Sequence, residues 1–245
     1  WRKASLYLFI ASLALTALVF VPGIGLELNG ATRWLKVGSF TFQPAEFLKI
    51  GYVLYLASWF SSVKRRVGEF QFGLIPFAVI TTVPALVLLL QPDGDTFLVL
   101  AAAGLAMFIA AGAKWRDIGI IAVTGLLLLT ILFFTRDYVA DRIRTFIDPS
   151  ADPLGTSYQL QQSLLAVGAG EFWGRGFGAS IQKFGRLPEP ISDSIFSVFA
   201  EEFGFFGSLI LIFAFLTFAM RGLWVAARSP DLFGGLLAVG IVVII

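Results

Sequence analysis

The sequence lacks two residue types that carry much of protein chemistry. It contains no cysteine and no histidine among 245 residues, and only 14% of its residues are charged. These absences exclude disulfides, structural zinc sites, iron–sulfur clusters and nucleophiles activated by an imidazole base. The formal net charge is +2, and the basic residues are dispersed, which gives no indication of nucleic-acid binding. Any proton transfer therefore falls to Asp, Glu, Lys or Tyr.

What the sequence has in excess is apolar side chains. Hydrophobic residues make up 58% of the chain and the mean hydropathy is +0.86, whereas an ordinary soluble domain is roughly 45–50% apolar. The chain is therefore expected to be an integral membrane protein. It begins with Trp1 and ends inside an apolar run, so we expect an internal piece of a longer multi-pass protein.

Seven apolar runs approach the roughly 20 residues that a helix needs to cross a bilayer. They are residues 5–22, 44–62, 73–91, 96–113, 118–134, 195–219 and a shortened run at 232–245. Each run is expected to be helical, since a strand edge facing lipid would leave backbone groups unpaired. The predicted fold class is all-α: a transmembrane helix bundle that forms one domain over residues 1–245.

Basic residues indicate the orientation of these spans. Arginines and lysines near positions 2–3, 64–66, 114–116 and 221–228 fall at alternate ends of successive spans, which is typical of cytoplasmic ends. The long connection, residues 135–194, then lies on the outer side. Its turn signals and its apolar stretch at 158–168 predict a structured loop that lies on the membrane surface or re-enters it.

Charged residues near the ends of the spans are the candidate functional groups. Glu46 and Lys49 are three residues apart and share a helical face, so they can form an ion pair. The pair either fixes helix packing or belongs to a pocket for an anionic substrate. Arg33 and Trp34 in the preceding loop are also compatible with an interfacial anchor.

Acidic residues surround the start of the sixth run. Asp193 is compatible with an N-cap of the following helix, or with a general base at the mouth of a cavity. Glu201 and Glu202 lie about two turns deeper, where a carboxylate is tolerated only if it is paired or hydrated.

Three blocks of the sequence, taken together, resemble one known family. They are "NGATRWLKVGSFTFQPAEFLKI" at 29–50, "QPDGDTFLVL" at 91–100 and the stretch from "FIDPSADPLG" to "EEFGFFG" at 146–207. In order and spacing they are similar to the shape, elongation, division and sporulation (SEDS) family, which includes FtsW and RodA. Residues 16–34 look more like the division type, FtsW. The resemblance covers nearly the whole chain.

The resemblance implies a bacterial plasma-membrane enzyme of about ten spans. Such an enzyme polymerises peptidoglycan strands from lipid II at the outer face, together with a class B penicillin-binding transpeptidase and the proteins of the division or elongation machinery. The family's essential aspartate corresponds to Asp193, although an aromatic neighbour is replaced by Ser194. Its Glu-Glu pair corresponds to Glu201 and Glu202.

The resemblance also assigns residues in the first half of the chain. The family's Gln-Pro-Ser-Glu block with its following lysine matches four residues here, with Ala45 in place of the serine: Gln43, Pro44, Glu46 and Lys49. Another block matches Arg33 and Trp34, with Thr32 in place of an arginine. In the block 91–96 the glycine has moved and Asp95 has entered, so the turn is expected to be reshaped.

The implied reaction needs a base and a countercharge. Asp193 would take the proton of the attacking sugar hydroxyl. The leaving pyrophosphate would be stabilised by a divalent cation or by basic side chains, for which the candidates are Arg33, Lys49, Lys183 and Arg186. No resident cofactor or metal ligand set is expected. A lipid II flippase and a non-catalytic scaffold for a transpeptidase are the alternatives.

Overall fold

The computed structural model describes residues 1–28, 31–38, 40–135, 137–148, 157–185 and 187–245. These parts of the chain are mostly helical. The α-helices are α1 Ser5–Ala17, α2 Pro44–Val63, α3 Leu74–Leu90, α4 Gly94–Ala110, α5 Trp115–Thr135, α6 Asp137–Ile147, α7 Tyr158–Ala169, α8 Ile195–Ala227 and α9 Leu232–Ile244, with short 3₁₀ turns at Leu18–Phe20 and Lys64–Gly68. The strands are β1 Gly25–Leu28, β2 Ala31–Val37 and β3 Phe40–Phe42.

Each of the seven predicted runs contains an α-helix, with most ends within about three residues of the prediction. Two of these helices, α5 and α8, are long and apolar enough to cross a membrane by length and composition. Four apolar segments are shorter, namely those beginning at Ser5, Leu74, Gly94 and Leu232. The stretch predicted as apolar at 158–168 forms α7.

The chain divides into two compact units, residues 1–121 with 218–245, and residues 122–217. In the first unit, α2 packs against α1, α3, α4 and α9. Its side chains at four-residue spacing, Leu48, Tyr52, Leu56 and Phe60, are fully buried, because residues i and i+4 share a helical face. Phe108 of α4 stacks on Phe60 at 5.5 Å between ring centroids.

Small residues allow the helices of this unit to approach closely. A Cβ atom on Gly51 of α2 would lie 2.5 Å from the Ser12 hydroxyl of α1. A Cβ atom on Gly240 of α9 would lie 2.5 Å from Val53 and 2.8 Å from the Met107 sulfur. Small residues at helix contacts are typical of membrane bundles, where van der Waals packing drives association.

The chain segment that connects α1 to α2 forms a three-stranded antiparallel sheet, in the order β1-β2-β3. Leu26 pairs with Trp34, and Leu35 pairs with Phe42. The all-α prediction did not include this sheet, because the search for 20-residue apolar runs does not detect strands of three to seven residues. The sheet ends one residue before the first turn of α2, so it fixes where Gln43 and Pro44 begin that helix.

The second unit contains α5 from Ala122 onward, α6, α7, the following loop and α8 as far as Thr217. Within α8, Gly204 has φ 66° and ψ −165°, which is not helical. The helix is therefore broken at this residue. Glycine is suited to the position because positive φ is costly for residues with a Cβ atom. The predicted continuous span over 195–219 does not include this break.

Candidate functional site

In the first unit, Arg33 of β2 is bound to the turn between α3 and α4. Its Nε donates a hydrogen bond to the Gln91 carbonyl oxygen at 3.3 Å, and its Nη2 donates one to the Pro92 carbonyl oxygen. Its Nη1 lies 3.8 Å from the Asp93 carboxylate. All three guanidinium nitrogens therefore have partners in one turn that is about 60 residues away in the sequence.

Asp93 is the acidic centre of this group. Its side chain is 2% exposed, and it accepts a hydrogen bond from the Gln43 amide at 3.1 Å. It also caps α4 by accepting from the Thr96 backbone N–H at 3.4 Å. We call the set Arg33, Gln43, Gln91, Pro92 and Asp93 the Arg33 network.

Gln91 extends the Arg33 network to the first helix, because its side-chain amide donates to the Thr16 carbonyl oxygen at 2.8 Å. The network thus joins the sheet, the start of α2, the α3–α4 turn and the end of α1. Trp34 is partly exposed on β2. Pro44 is buried in the first turn of α2, where the absence of an N–H carries no cost.

The predicted pair of Glu46 and Lys49 is confirmed. The Lys49 ammonium lies 2.9 Å from the Glu46 carboxylate, and the side chains are 17% and 58% exposed respectively. The pair lies in the first two turns of α2.

In the second unit, the loop after α7 is hydrogen-bonded to the break in α8. The N–H groups of Arg175 and Gly176 donate to the carbonyl oxygens of Glu201 and Glu202, each at 2.9 Å. In the other direction, the N–H groups of Phe205 and Phe206 donate to loop carbonyl oxygens at 2.8 and 3.2 Å. Backbone groups that the break removes from the helix are therefore satisfied by the loop.

The side chains of Glu201 and Glu202 bind the same loop. Glu201 is fully buried and accepts hydrogen bonds from the Ser180 hydroxyl at 2.6 Å and from the backbone N–H groups of Ile181 and Gln182 at 3.1 and 3.3 Å. Glu202 is 7% exposed and accepts from the N–H groups of Gly178 and Ser180 at 2.9 and 3.4 Å.

Two cations accompany the two carboxylates. The Lys183 ammonium lies 2.6 Å from Glu202 and also donates to the Gly178 carbonyl oxygen at 2.9 Å. Arg175 lies 3.5 Å from Glu201. Of the two alternatives expected for these acids, pairing or hydration, the structure shows pairing. We call Glu201, Glu202, Arg175, Ser180 and Lys183 the carboxylate cluster.

Asp193 lies two residues before the first residue of α8 and is exposed to solvent. Among the residues that the structure describes, none donates a hydrogen bond to its side chain or forms an ion pair with it. The N-cap alternative therefore finds no support. Arg186, the remaining predicted cation, lies outside the described residues.

Asp93 and Gln91 were quoted from the sequence as part of a turn but were given no role. The signal was present, because an aspartate just before an apolar run is a typical N-cap residue. Ser180 and Arg175 were missed because their contacts depend on the break at Gly204. Within the described parts of the chain, no group of three or more acidic side chains could hold a metal ion.

A helical chain in which α5 and α8 are long and apolar enough to span a bilayer, with ion-paired acids near the start of α8, is typical of a multi-pass membrane protein. The family model described as "Cell cycle protein", which covers FtsW, RodA and the stage V sporulation protein E, matches residues 1–245. The chain belongs to this family, and the resemblance to the SEDS proteins is confirmed.

Curated relatives agree with this assignment. The chain is 36% identical to "Stage V sporulation protein E" of Bacillus subtilis over 99% of its own length and 66% of that protein. It is 38% identical to "Probable peptidoglycan glycosyltransferase FtsW" of Geobacter sp. (strain M18), over 100% of its own length and 67% of that protein. The corresponding protein of Idiomarina loihiensis is 40% identical, with 98% and 59% covered. The chain thus spans about two thirds or less of these relatives.

Solved structures share the fold. One, described as a peptidoglycan synthase complex that coordinates polymerization and crosslinking, superimposes with a TM-score of 0.76 at 29% identity, covering 99% of this chain and 67% of that one. Rod shape determining protein RodA of Thermus thermophilus gives a TM-score of 0.66 at 26% identity, covering 99% and 62%.

Proposed function

We propose that the protein is a glycosyltransferase that polymerises peptidoglycan strands from lipid II, with Asp193 as the general base. Membership of the family supports this proposal, as do relatives that carry the name peptidoglycan glycosyltransferase. The structural similarity to a peptidoglycan synthase complex supports it independently.

One observation favours Asp193 over its acidic neighbours. Glu201 and Glu202 are buried and hydrogen-bonded to a loop, and Glu189 accepts a hydrogen bond from Ser192. Asp193 is exposed and has no side-chain partner among the described residues. A carboxylate without a bound donor has its oxygens available to an incoming hydroxyl, whereas those of Glu201 and Glu202 already accept hydrogen bonds from the loop.

The proposed step moves one sugar between two lipid-linked molecules. The 4-hydroxyl oxygen of the acceptor sugar attacks the anomeric carbon of the donor, and Asp193 takes the hydroxyl proton. The bond between that carbon and the pyrophosphate oxygen breaks, and the pyrophosphate leaves with the electron pair. Since the lipid tail stays in the bilayer, a base for this reaction has to stand at the membrane surface.

The leaving pyrophosphate needs positive charge. The candidate cations differ in the partners that they already bind within the protein. Arg33 is bound to the α3–α4 turn, and Lys183 is bound to Glu202. Lys49 has one partner, the more exposed Glu46. We therefore favour Lys49 as the pyrophosphate ligand. A divalent cation would supply further positive charge to the leaving pyrophosphate.

The finer membrane arrangement also belongs to this proposal. We propose that the seven predicted runs each cross the bacterial plasma membrane within one membrane domain. Residues 135–194 would lie on the extracytoplasmic side with Asp193. A class B penicillin-binding transpeptidase and the proteins of cell division or elongation would be its partners.

Replacing Asp193 by Asn tests the base assignment. Asparagine has nearly the same shape but cannot accept the proton, and positioned general bases contribute about 10²- to 10⁴-fold to a rate. We expect Asp193→Asn in the full-length protein to retain its membrane yield and thermal midpoint, and to lose polymerisation of purified lipid II by that factor.

Glu189→Gln is the matched control, since it removes an exposed carboxylate four residues away, and it should polymerise normally. Polymerisation by Asp193→Asn at the parent rate would refute the base assignment. A flippase would move labelled lipid II across vesicles without lengthening it. A scaffold would polymerise nothing in either form when it is reconstituted with its partner.

A further inference from the structure

An exposed group of aromatic side chains lies where the loop after α7 meets α8. We define the aromatic patch as Phe172, Trp173 and Phe177 of the loop together with Phe203, Phe205 and Phe206 of α8. Trp173 packs on Phe206 at 5.0 Å between ring centroids, and Phe177 packs on Phe203 at 6.1 Å. Even so, Trp173 is 81% exposed and Phe177 is 87% exposed.

The aromatic patch is continuous with the apolar surface of a membrane-spanning helix. After Gly204, exposed apolar side chains continue along α8 at Ile210, Phe213 and Leu216. Very little of the most apolar stretch of this helix is buried within the protein. Lipid is the medium that such a surface requires. The aromatic patch lies at the N-terminal end of this apolar surface.

Backbone N–H groups of the loop are hydrogen-bonded within the protein, as an environment poor in water requires. Irregular backbone at membrane depth is tolerated only where its polar groups are bound by protein or by water in a cavity. Here the N–H groups of Arg175 and Gly176 donate to α8 carbonyl oxygens. The N–H groups of Gly178, Ser180, Ile181 and Gln182 donate to the carboxylates of Glu201 and Glu202.

The charges of the carboxylate cluster also balance, while Glu171 of the same loop is exposed. Glu201 and Glu202 carry two negative charges, and the ion-paired Arg175 and Lys183 carry two positive charges. Charged groups near a bilayer are stabilised when they pair and are hydrogen-bonded. A loop in bulk water would need neither this balance nor buried carboxylates to bind its N–H groups.

We propose that the aromatic patch is a membrane-contact surface that lies in the boundary between lipid headgroups and acyl chains. Trp and other amphipathic aromatic rings favour this depth. The carboxylate cluster then stabilises an irregular loop in the interface. This role explains why two acids lie in the first turns of an apolar helix. The proposal rests on the membrane class of the protein and not on the role of Asp193.

The absence of cysteine from this chain makes a depth measurement direct. Single-cysteine variants Trp173→Cys and Phe177→Cys would carry a nitroxide label in the full-length protein, reconstituted in vesicles of phosphatidylethanolamine and phosphatidylglycerol. Ser192→Cys, in an exposed polar turn, is the water reference, and Ile210→Cys is the acyl-chain reference. Collisions with oxygen report lipid, and collisions with a water-soluble nickel chelate report solvent.

We expect the ratio of oxygen to nickel collisions at positions 173 and 177 to lie between the values at 192 and 210. A ratio at both positions equal to that of Ser192→Cys would overturn the proposal. Protection from both reagents would also overturn it, because it would mean that protein covers the patch. If the cysteine variants fold poorly, fluorescence quenching by lipids brominated near the headgroup provides the answer. The parent should show a quenched component that Trp173→Phe lacks, and an equal response from both would overturn the proposal.

Discussion

The Arg33 network and the carboxylate cluster both bind backbone polar groups with charged side chains, but the charges are opposite. In the Arg33 network a guanidinium binds backbone carbonyl oxygens of the turn between two helices. In the carboxylate cluster two acids bind backbone N–H groups of a loop. Each places a charged side chain on backbone groups that have no partner within a helix.

The difference lies in how each arrangement depends on the backbone. The Arg33 network joins elements that are ordinary in themselves, a strand, a turn and a helix start. The carboxylate cluster requires the break at Gly204 and the close approach of Gly174 to it. The first should therefore weaken gradually when a side chain changes, whereas the second should fail abruptly when the backbone cannot close.

The largest expected effect comes from Gly174→Ala. Gly174 has φ +77°, and a Cβ atom there would lie 2.2 Å from the Glu202 carbonyl oxygen and 2.6 Å from the Gly204 nitrogen. Strain at positive φ costs about 1–3 kcal/mol, and overpacking typically adds about 1–3 kcal/mol. We expect a large loss of thermal stability and yield in detergent.

Two glycines separate the causes of that loss. Gly176 has φ +105° but open space around a Cβ atom, so Gly176→Ala should show the conformational cost alone. Gly119 lies in helix α5 with open space and no positive φ, so its replacement by Ala should be neutral or slightly stabilising. Equal thermal midpoints for the alanine variants at 174 and 176 would contradict the close contact between the loop and the break.

The next effect in size concerns Arg33→Lys, which keeps the charge and removes the planar fork. The carboxylate of Asp93, which is 2% exposed, would keep its hydrogen bond from Gln43 but lose its ion pair with the guanidinium. Leaving such groups underbonded typically costs about 1–3 kcal/mol. We expect a lower thermal midpoint, together with a coupling energy of about 0.5–3 kcal/mol between Arg33→Lys and Asp93→Asn in a double-mutant cycle.

Arg65→Lys is the control for this cycle, because Arg65 is exposed at a short 3₁₀ turn, and it should change stability by less than about 0.5 kcal/mol. Additive effects of Arg33→Lys and Asp93→Asn would show that the two residues do not act together. If Arg33→Lys instead kept its stability and lost lipid II affinity, Arg33 would be a substrate ligand after all.

The sequence predicts the helices well because an apolar run of about 20 residues has few alternatives to a helix in a membrane. It also predicts the pair of Glu46 and Lys49, since residues three apart on a helix share a face. These are local properties. Family resemblance adds the identity of the blocks, including Asp193, but not their contacts.

Apart from the local cap that Asp93 forms on α4, the missed contacts depend on distant parts of the chain. Arg33 meets Gln91 across 58 positions, and Ser180 meets Glu201 across 21. Neither meeting follows from periodicity. The break at Gly204 is hard to foresee because an isolated glycine inside an apolar run is common in membrane helices. Lys183 illustrates the result: the sequence predicts a substrate ligand, and in the structure its ammonium is paired with Glu202.

The smallest expected effect on stability concerns the pair of Glu46 and Lys49, which belongs to neither group. Glu46 is 58% exposed, and exposed helix pairs contribute only about 0.3–0.5 kcal/mol. We expect Glu46→Gln and Lys49→Met to leave the thermal midpoint nearly unchanged.

If Lys49 binds pyrophosphate, Lys49→Met should still lower lipid II polymerisation strongly, and Glu46→Gln should not. A loss of stability from Lys49→Met as large as that from Arg33→Lys would assign Lys49 a structural role. Unchanged polymerisation with unchanged stability would remove it from the proposed site.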